Sequence, residues 1–293
     1  MGTRWSAQFH APIGCNVPAV VEQLGAAVRK VDAQMSNWRD DSDLSRLNRT
    51  APGEWIAVAP NLATVLTRAL SIGRATGNAF NIGVGALVGA WGFGPAGEEG
   101  MRNGTASRPC RPIDEVLEVD APSCRARRHA AVSFDLCGIA KGFGVDELAR
   151  VLDRYGIGSW LVGIDGEMRT RGRKPDGSPW AIAIEVPQVD LREPMSVIEL
   201  DDAAIATSGD YRHWRHIDGK RISHTMDPRT GKPLVDGLAS VTVVAQYCTD
   251  ADAFATALMV LGHDAGLAWA ARRALSVLLV ARDGNALRSS GTG

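Results

Sequence analysis

The chain has 293 residues, 45% of them hydrophobic and 22% charged, with a formal net charge of −1. That length can bury a full core, as a single domain or as two closely joined subdomains, and the near-neutral balance speaks against broad electrostatic attraction to nucleic acid or to a membrane surface. No apolar run approaches the ~20 residues that span a bilayer, so no transmembrane segment is expected, and the five cysteines show neither a CxxC pair nor the His-interleaved spacing of a zinc site.

Apolar residues at Val20, Val21, Leu24, Ala27, Val28, Val31 and Met35 give residues 17–38 a helical rhythm that ends in a polar, Asp-rich loop. The pattern returns over 62–75 and stops at Thr76-Gly77-Asn78, a C-terminal signal. Residues 94–112, rich in Gly, Pro, Arg and Ser, read as an irregular surface excursion. Short apolar runs over 116–134 predict strands split by a turn at 120–128, and 140–155 is helical. Strands are expected at 160–164, 180–186, 197–200, 241–245 and 276–282, helices at 250–261 and 265–274, and a frayed tail at 289–293. Helices and hairpins come in blocks and do not alternate, which favours an α+β fold over a doubly wound parallel sheet. Cys110 and Cys124 bridging a loop and five reduced thiols are equally compatible with the spacing.

Four stretches carry chemistry. Residues 204–232 are too polar and Gly-rich for a core element; Thr207-Ser208-Gly209, Asp218-Gly219 and the run from Asp227 to Gly231 read as turns, which sets the charged residues at loop tips where ligands are held. Within this span His224 lies three residues before Asp227, where an imidazole can position or deprotonate a hydroxyl nucleophile. Asp252 and Thr256, four apart in a helical pattern, present a carboxylate and a hydroxyl on one face, a donor pair suited to magnesium; the same spacing also suits a helix-dipole partner and a back-bonded threonine. Residues 135–152 run from a strand end through Gly138 into a helix, with Lys141 offering positive charge. No GxxxxGK followed by Ser or Thr is present, and the one GxGxxG match, Gly92 to Gly97, has Pro95 inside it and no helix after it. Residues 77–94 mix Phe80, Trp91 and Phe93 with glycines, a composition that serves either a slot for a flat ring or ordinary packing.

Taken in order, these segments resemble the FAD:protein FMN transferase family, also called ApbE and once described as thiamine-biosynthesis lipoproteins. The resemblance rests on Met1-Gly2-Thr3, MSNWRDDSDLSRLN from Met35, AFNIGVGAL from Ala79, WGFG from Trp91 and DLCGIAKGFGVD from Asp135. It continues with GSPW from Gly177, ATSGDYR from Ala206, SHTMDPRTGKP from Ser223 and ADAFATALMVLG from Ala251. It implies an ApbE-like α+β fold of antiparallel sheets packed by helices. It also implies a magnesium-dependent reaction in which FAD is split, FMN passes to a Thr or Ser hydroxyl of a flavoprotein acceptor, and AMP leaves. The implied metal ligands are the Ala140 carbonyl, Asp252 and Thr256; the implied flavin contacts are Met1, Trp38, Ala79, Phe80, Asn81, Cys137, Lys141 and Met226; His224 is the implied catalytic residue. The acceptor implied carries its Thr in an Asp-x-x-Ser-Gly-Ala-Thr-like context.

The chain departs from the family pattern at Asn81, usually Asp, at Gly83, often Thr, at Cys137, often Gly or Ser, and at Asp165-Gly166-Glu167, usually Gly-Gly-Asn or Gly-Gly-Asp. A magnesium-dependent FAD pyrophosphatase giving FMN and AMP, and a non-catalytic FAD carrier, are the alternative readings. The family habit implies a periplasmic or cell-envelope location, with a cytoplasmic one as the alternative because Met-Gly-Thr, which follows an export segment in that family, opens this chain.

Overall fold

The computed structural model describes residues 3–95, 97, 108–188, 191–211, 214–217, 220–235, 237–283 and 286–292. In chain order its main elements begin with β1 (Trp5–Phe9), α1 (Val17–Met35), α2 (Asp43–Arg49), α3 (Pro60–Ala75) and α4 (Gly85–Ala90). They continue with β2 (Leu117–Asp120), β3 (Arg125–Arg128), α5 (Ala140–Arg154), β4 (Trp160–Ile164), β5 (Glu167–Arg171), β6 (Trp180–Glu185), β7 (Pro194–Leu200) and β8 (Ala204–Gly209). The last are β9 (Trp214–Ile217), β10 (Lys220–Ser223), β11 (Leu238–Ala245), α6 (Cys248–Leu261), α7 (His263–Ala271), β12 (Ser276–Asp283) and β13 (Ala286–Thr292). Seven strands make one sheet in the order β1-β4-β5-β8-β11-β12-β13, and every neighbouring pair is antiparallel. The fold is α+β, with antiparallel sheets packed by helices.

The first six residues of β11 are all buried, Ser240 and Thr242 among them, which marks a strand covered on both faces. Val241 and Val243 pack with Leu258 and Met259 of α6, while Val244 meets Ile182 and Ile184 of the β6–β7 hairpin on the opposite side. Helix α6 is buried around most of its circumference, as a helix apolar on nearly all sides must be. Ala251, Ala253, Ala255 and Ala257 keep it slender. Its neighbour α5 comes closer still: a Cβ on Gly142 would lie 2.2 Å from the Cys248 carbonyl oxygen, a contact only glycine permits. Helices α1, α2 and α3 close the other side around Leu44, Leu47, Leu62 and Leu66. Among the described residues no helix is long and apolar enough to cross a membrane.

The structure differs from the sequence expectations at several places. The expected turn at 120–128 shrinks to residues 121–124, with Cys124 at φ 48°, because Arg125–Arg128 is a strand pairing with β2. Thr207-Ser208-Gly209 is no turn: it ends β8 and pairs with Thr242, Val241 and Ser240 of β11. The tail is an edge strand, held by its backbone pairing with β12. The chain before Gly138 is not a ladder strand; its Phe134 N–H donates to the Asn48 side chain and its carbonyl accepts from the Asn48 amide, at 2.8 and 2.9 Å. All five cysteines are free. The hairpin expected at Asp218-Gly219 is present as the β9–β10 pair with Ile217 opposite Lys220, the two turn residues themselves lying outside the described set. Much of the excursion at 94–112 lies outside it too.

Candidate active site

A cavity of about 990 Å³ opens where segments remote in sequence meet. They include the end of α1, the residues preceding α4, the start of α5, the β4–β5 turn, β6, the end of β8, the stretch from His224 to Pro228 and the face of α6. Trp38, Ala79, Phe80, Asn81, Cys137, Ala140, Lys141, His224, Met226, Asp252 and Thr256 all line it. Met1 lies outside the described residues.

The floor is polar and buried. Asp252 accepts the Gly142 N–H at 2.9 Å, and the Thr256 hydroxyl lies 3.2 Å from that of Ser208. A Cβ on Gly138 would stand 2.9 Å from the Thr256 oxygen, so the turn before α5 presses directly onto α6. Ala140 sits between these two glycines and faces the same cavity. Burial, reinforced by the Glu167 carboxylate and opposed by Lys141 and the Gly142 N–H, pushes the Asp252 carboxyl up to about 7. Lys141 donates to Glu167 at 2.6 Å. Burial works against the lysine charge, yet the carboxylates of Glu167, Asp252 and Asp165 outweigh it and hold the pKa well above the ordinary value. The second Glu167 oxygen is buried without a hydrogen-bond partner among the described residues.

This donor set fits a hard cation. A carboxylate, a hydroxyl and a backbone carbonyl are oxygen ligands of the kind magnesium accepts while keeping room for water and phosphate oxygens. A carboxyl that resists ionisation when buried beside another acid gains most from a divalent charge. Among the described residues no group of three His, Cys, Asp or Glu side chains is placed to hold a metal.

Above the floor the wall turns apolar, with Phe80, Ile82, Val84, Val88, Ile182, Ile184 and Met226. Asn81 is buried and used at both ends: its oxygen accepts the Gly83 N–H at 2.8 Å and caps the short helical turn Ile82–Val84, while its nitrogen donates to the Arg111 carbonyl at 3.0 Å. An aspartate could make the first bond and not the second. Gly83 belongs to the same adjustment, since a Cβ there would sit 3.0 Å from the Asn81 oxygen and 3.3 Å from Val132. Asp165, standing where the family has Gly, takes φ 57° in the two-residue connection from Ile164 to Glu167, a conformation that Asp tolerates better than most residues.

The rim carries His224, half-buried, with Phe93 edge-on at 6.4 Å between ring centroids. Asp227, three residues further on, takes the Arg229 guanidinium with both its oxygens at 2.9 and 3.0 Å, and this pair closes the turn to Gly231. Trp38 stands 66% exposed at the mouth.

Glu167 and Ser208 stand on the floor and the exposed Asp165 lies beside it, although their sequence context marks none of the three as a ligand. Ser208 lay in the polar span but was read as a turn residue, and Glu167 opens a strand of five mainly polar residues that carries no strand periodicity.

The ApbE family profile matches residues 1–279. The FAD:protein FMN transferase of Vibrio cholerae is 37% identical, covering 96% of this chain and 85% of that one. The Haemophilus influenzae protein of the same name is also 37% identical over 97% and 85%, and that of Escherichia coli is 31% identical over 99% and 84%. Among solved structures, the apo flavinyl transferase ApbE of Pseudomonas stutzeri superposes with a TM-score of 0.88 at 32% identity, covering 100% of this chain and 92% of that one. The Vibrio cholerae flavin transferase ApbE gives 0.87 at 35%, over 100% and 94%. Likeness of this extent, in sequence and in fold together, makes the chain a member of the ApbE family.

Proposed function

We propose that the chain is an FAD:protein FMN transferase, moving FMN from FAD to a Thr or Ser hydroxyl of a flavoprotein acceptor and releasing AMP. The observation that carries this reading is convergence. Residues near positions 38, 80, 140, 224 and 252 are remote in sequence, yet every described residue that the family resemblance implies lines one cavity with a polar floor and an apolar wall.

The Ala140 carbonyl, Asp252 and Thr256 are the residues that would hold Mg2+, which when bound neutralises charge on the phosphate oxygens. Lys141, fixed by Glu167, sets a permanent positive charge beside them. Phe80, Ile82 and Met226 provide the apolar surface for the flavin ring. His224 at the rim takes the proton of the incoming hydroxyl. The hydroxyl oxygen bonds to the FMN phosphorus as the bond from that phosphorus to the AMP phosphate oxygen breaks, and AMP departs with the electron pair. The family habit supports a periplasmic or cell-envelope location; cell fractionation that recovers the protein in the cytoplasm would contradict it.

The test is AMP release from FAD and Mg2+ with and without a peptide bearing the acceptor threonine. AMP formed only with the peptide supports transfer. AMP formed equally without it identifies a pyrophosphatase, and bound FAD without AMP identifies a carrier.

A further inference from the structure

Helix α6 begins without a cap of its own. Its N-cap position is Tyr247, which makes no side-chain cap bond, and the acid of its first turn, Asp250, is drawn away by Arg68 at 2.6 and 2.8 Å. The missing acceptor comes from α5. Asp146, buried, accepts from the Cys248 and Thr249 backbone N–H groups at 3.1 and 2.9 Å and from the Thr249 hydroxyl at 2.6 Å. Arg169 of β5 donates to it at 2.7 Å, so both carboxylate oxygens are shared between two partners.

This bond is the first of a series. Asp146, Gly142 and Gly138 are spaced four apart along α5 and the turn before it. They meet Cys248 and Thr249, then Asp252, then Thr256, at nearly the same spacing along the antiparallel α6. Each step is about one helical turn. The far end of the series is the cation site. Strand β5 grips α5 at both ends of this run, through Glu167 to Lys141 and Arg169 to Asp146.

We propose that Asp146 is a positioning residue for the cation site: by tying the start of α6 to α5 it sets the register of the two helices, and so the placement of Asp252 and Thr256 against Ala140. It touches neither cation nor flavin. The proposal rests on the magnesium reading above. Residues that orient metal ligands typically cost 10- to 100-fold in metal affinity when changed.

The test is Mn2+ binding to the full-length protein, followed by the electron paramagnetic resonance signal of free Mn2+. In Asp146→Asn, the Kd for Mn2+ should rise by about 10- to 100-fold with the far-UV dichroism kept. Leu200→Ala, which opens a cavity in the core cluster of the β6–β7 hairpin that holds no residue of α5 or α6, should lower the melting temperature and leave that Kd within about twofold. Unchanged affinity in a folded Asp146→Asn, or equal weakening in Leu200→Ala, overturns the proposal. Should Asp146→Asn fail to fold, Thr249→Val decides in its place: losing the hydroxyl bond should weaken Mn2+ by about threefold, and no change overturns the proposal. Wild-type protein that binds no Mn2+, or Asp252→Asn that binds it as tightly, instead overturns the magnesium reading beneath it.

Discussion

On the floor of the cavity Lys141 with Glu167, Gly142 with Asp252, and Thr256 with Ser208 form three pairs at 2.6, 2.9 and 3.2 Å, and two glycines let the backbone of α5 and its leading turn touch α6. At the rim Trp38 is 66% exposed, Phe93 meets His224 only edge-on, and the Arg215 guanidinium lies 5.8 Å from the Phe93 ring. The contrast follows from what each end must handle. Phosphate charge is stabilised by groups fixed before the reaction, because groups that need no rearrangement stabilise charge most. In the proposed reaction a protein acceptor, by contrast, would have to bring a side-chain hydroxyl to His224 through the mouth, which dense packing would block.

Loss of the floor carboxylate should therefore be the most severe change, loss of the rim imidazole next, and loss of exposed surface at the mouth the mildest. Asp252→Ala removes the proposed acidic ligand and should cut transfer by about 10³-fold or more, since a catalytic cation supplies several kcal/mol, while circular dichroism shows the fold retained. Unchanged turnover would remove the metal assignment. His224→Ala should slow transfer by about 10²-fold and leave FAD affinity, read by flavin fluorescence, within a few fold. If binding collapses while bound FAD still turns over, His224 is a ligand and not a base. Gly142→Ala forces a Cβ against the Cys248 carbonyl and should destabilise by about 1–3 kcal/mol, visible as a lower melting temperature. Asn81→Asp loses the donor to the Arg111 carbonyl and sets a carboxylate against it, for a cost of about 1–3 kcal/mol by denaturant titration. A neutral result there would mean that the amide nitrogen contributes nothing. Trp38→Ala should raise KM for FAD modestly, leave kcat nearly unchanged, and alter stability by no more than about 0.5 kcal/mol.

The same contrast governs what could be read from the sequence. The Asp252/Thr256 face was visible because a helix imposes a fixed four-residue spacing, and apolar periodicity located α1, α3, α5 and α6 within a few residues. β4 was legible from its own apolar run. β5 was not: EMRTR buries Glu167 and Thr170 only because it is paired with β4 and covered by α5. The same holds for Thr207-Ser208-Gly209, whose local turn chemistry yields to backbone pairing with β11, and for the polar strand β13. Asp146 gives no local sign of its role, since its partners on α6 lie about 100 residues away in sequence. Local signals thus found the groups that a helix presents, and long-range pairing set the groups that hold them in place. Asn81 and Gly83, departures when taken singly, form one adjusted turn when seen together.

The most direct test is mass spectrometry of an acceptor flavoprotein incubated with this protein, FAD and Mg2+. A mass gain of one FMN moiety on a threonine, abolished by EDTA and by Asp252→Ala, is the result predicted. Acceptors that stay unmodified while FAD is hydrolysed, or is bound and released intact, would contradict transfer.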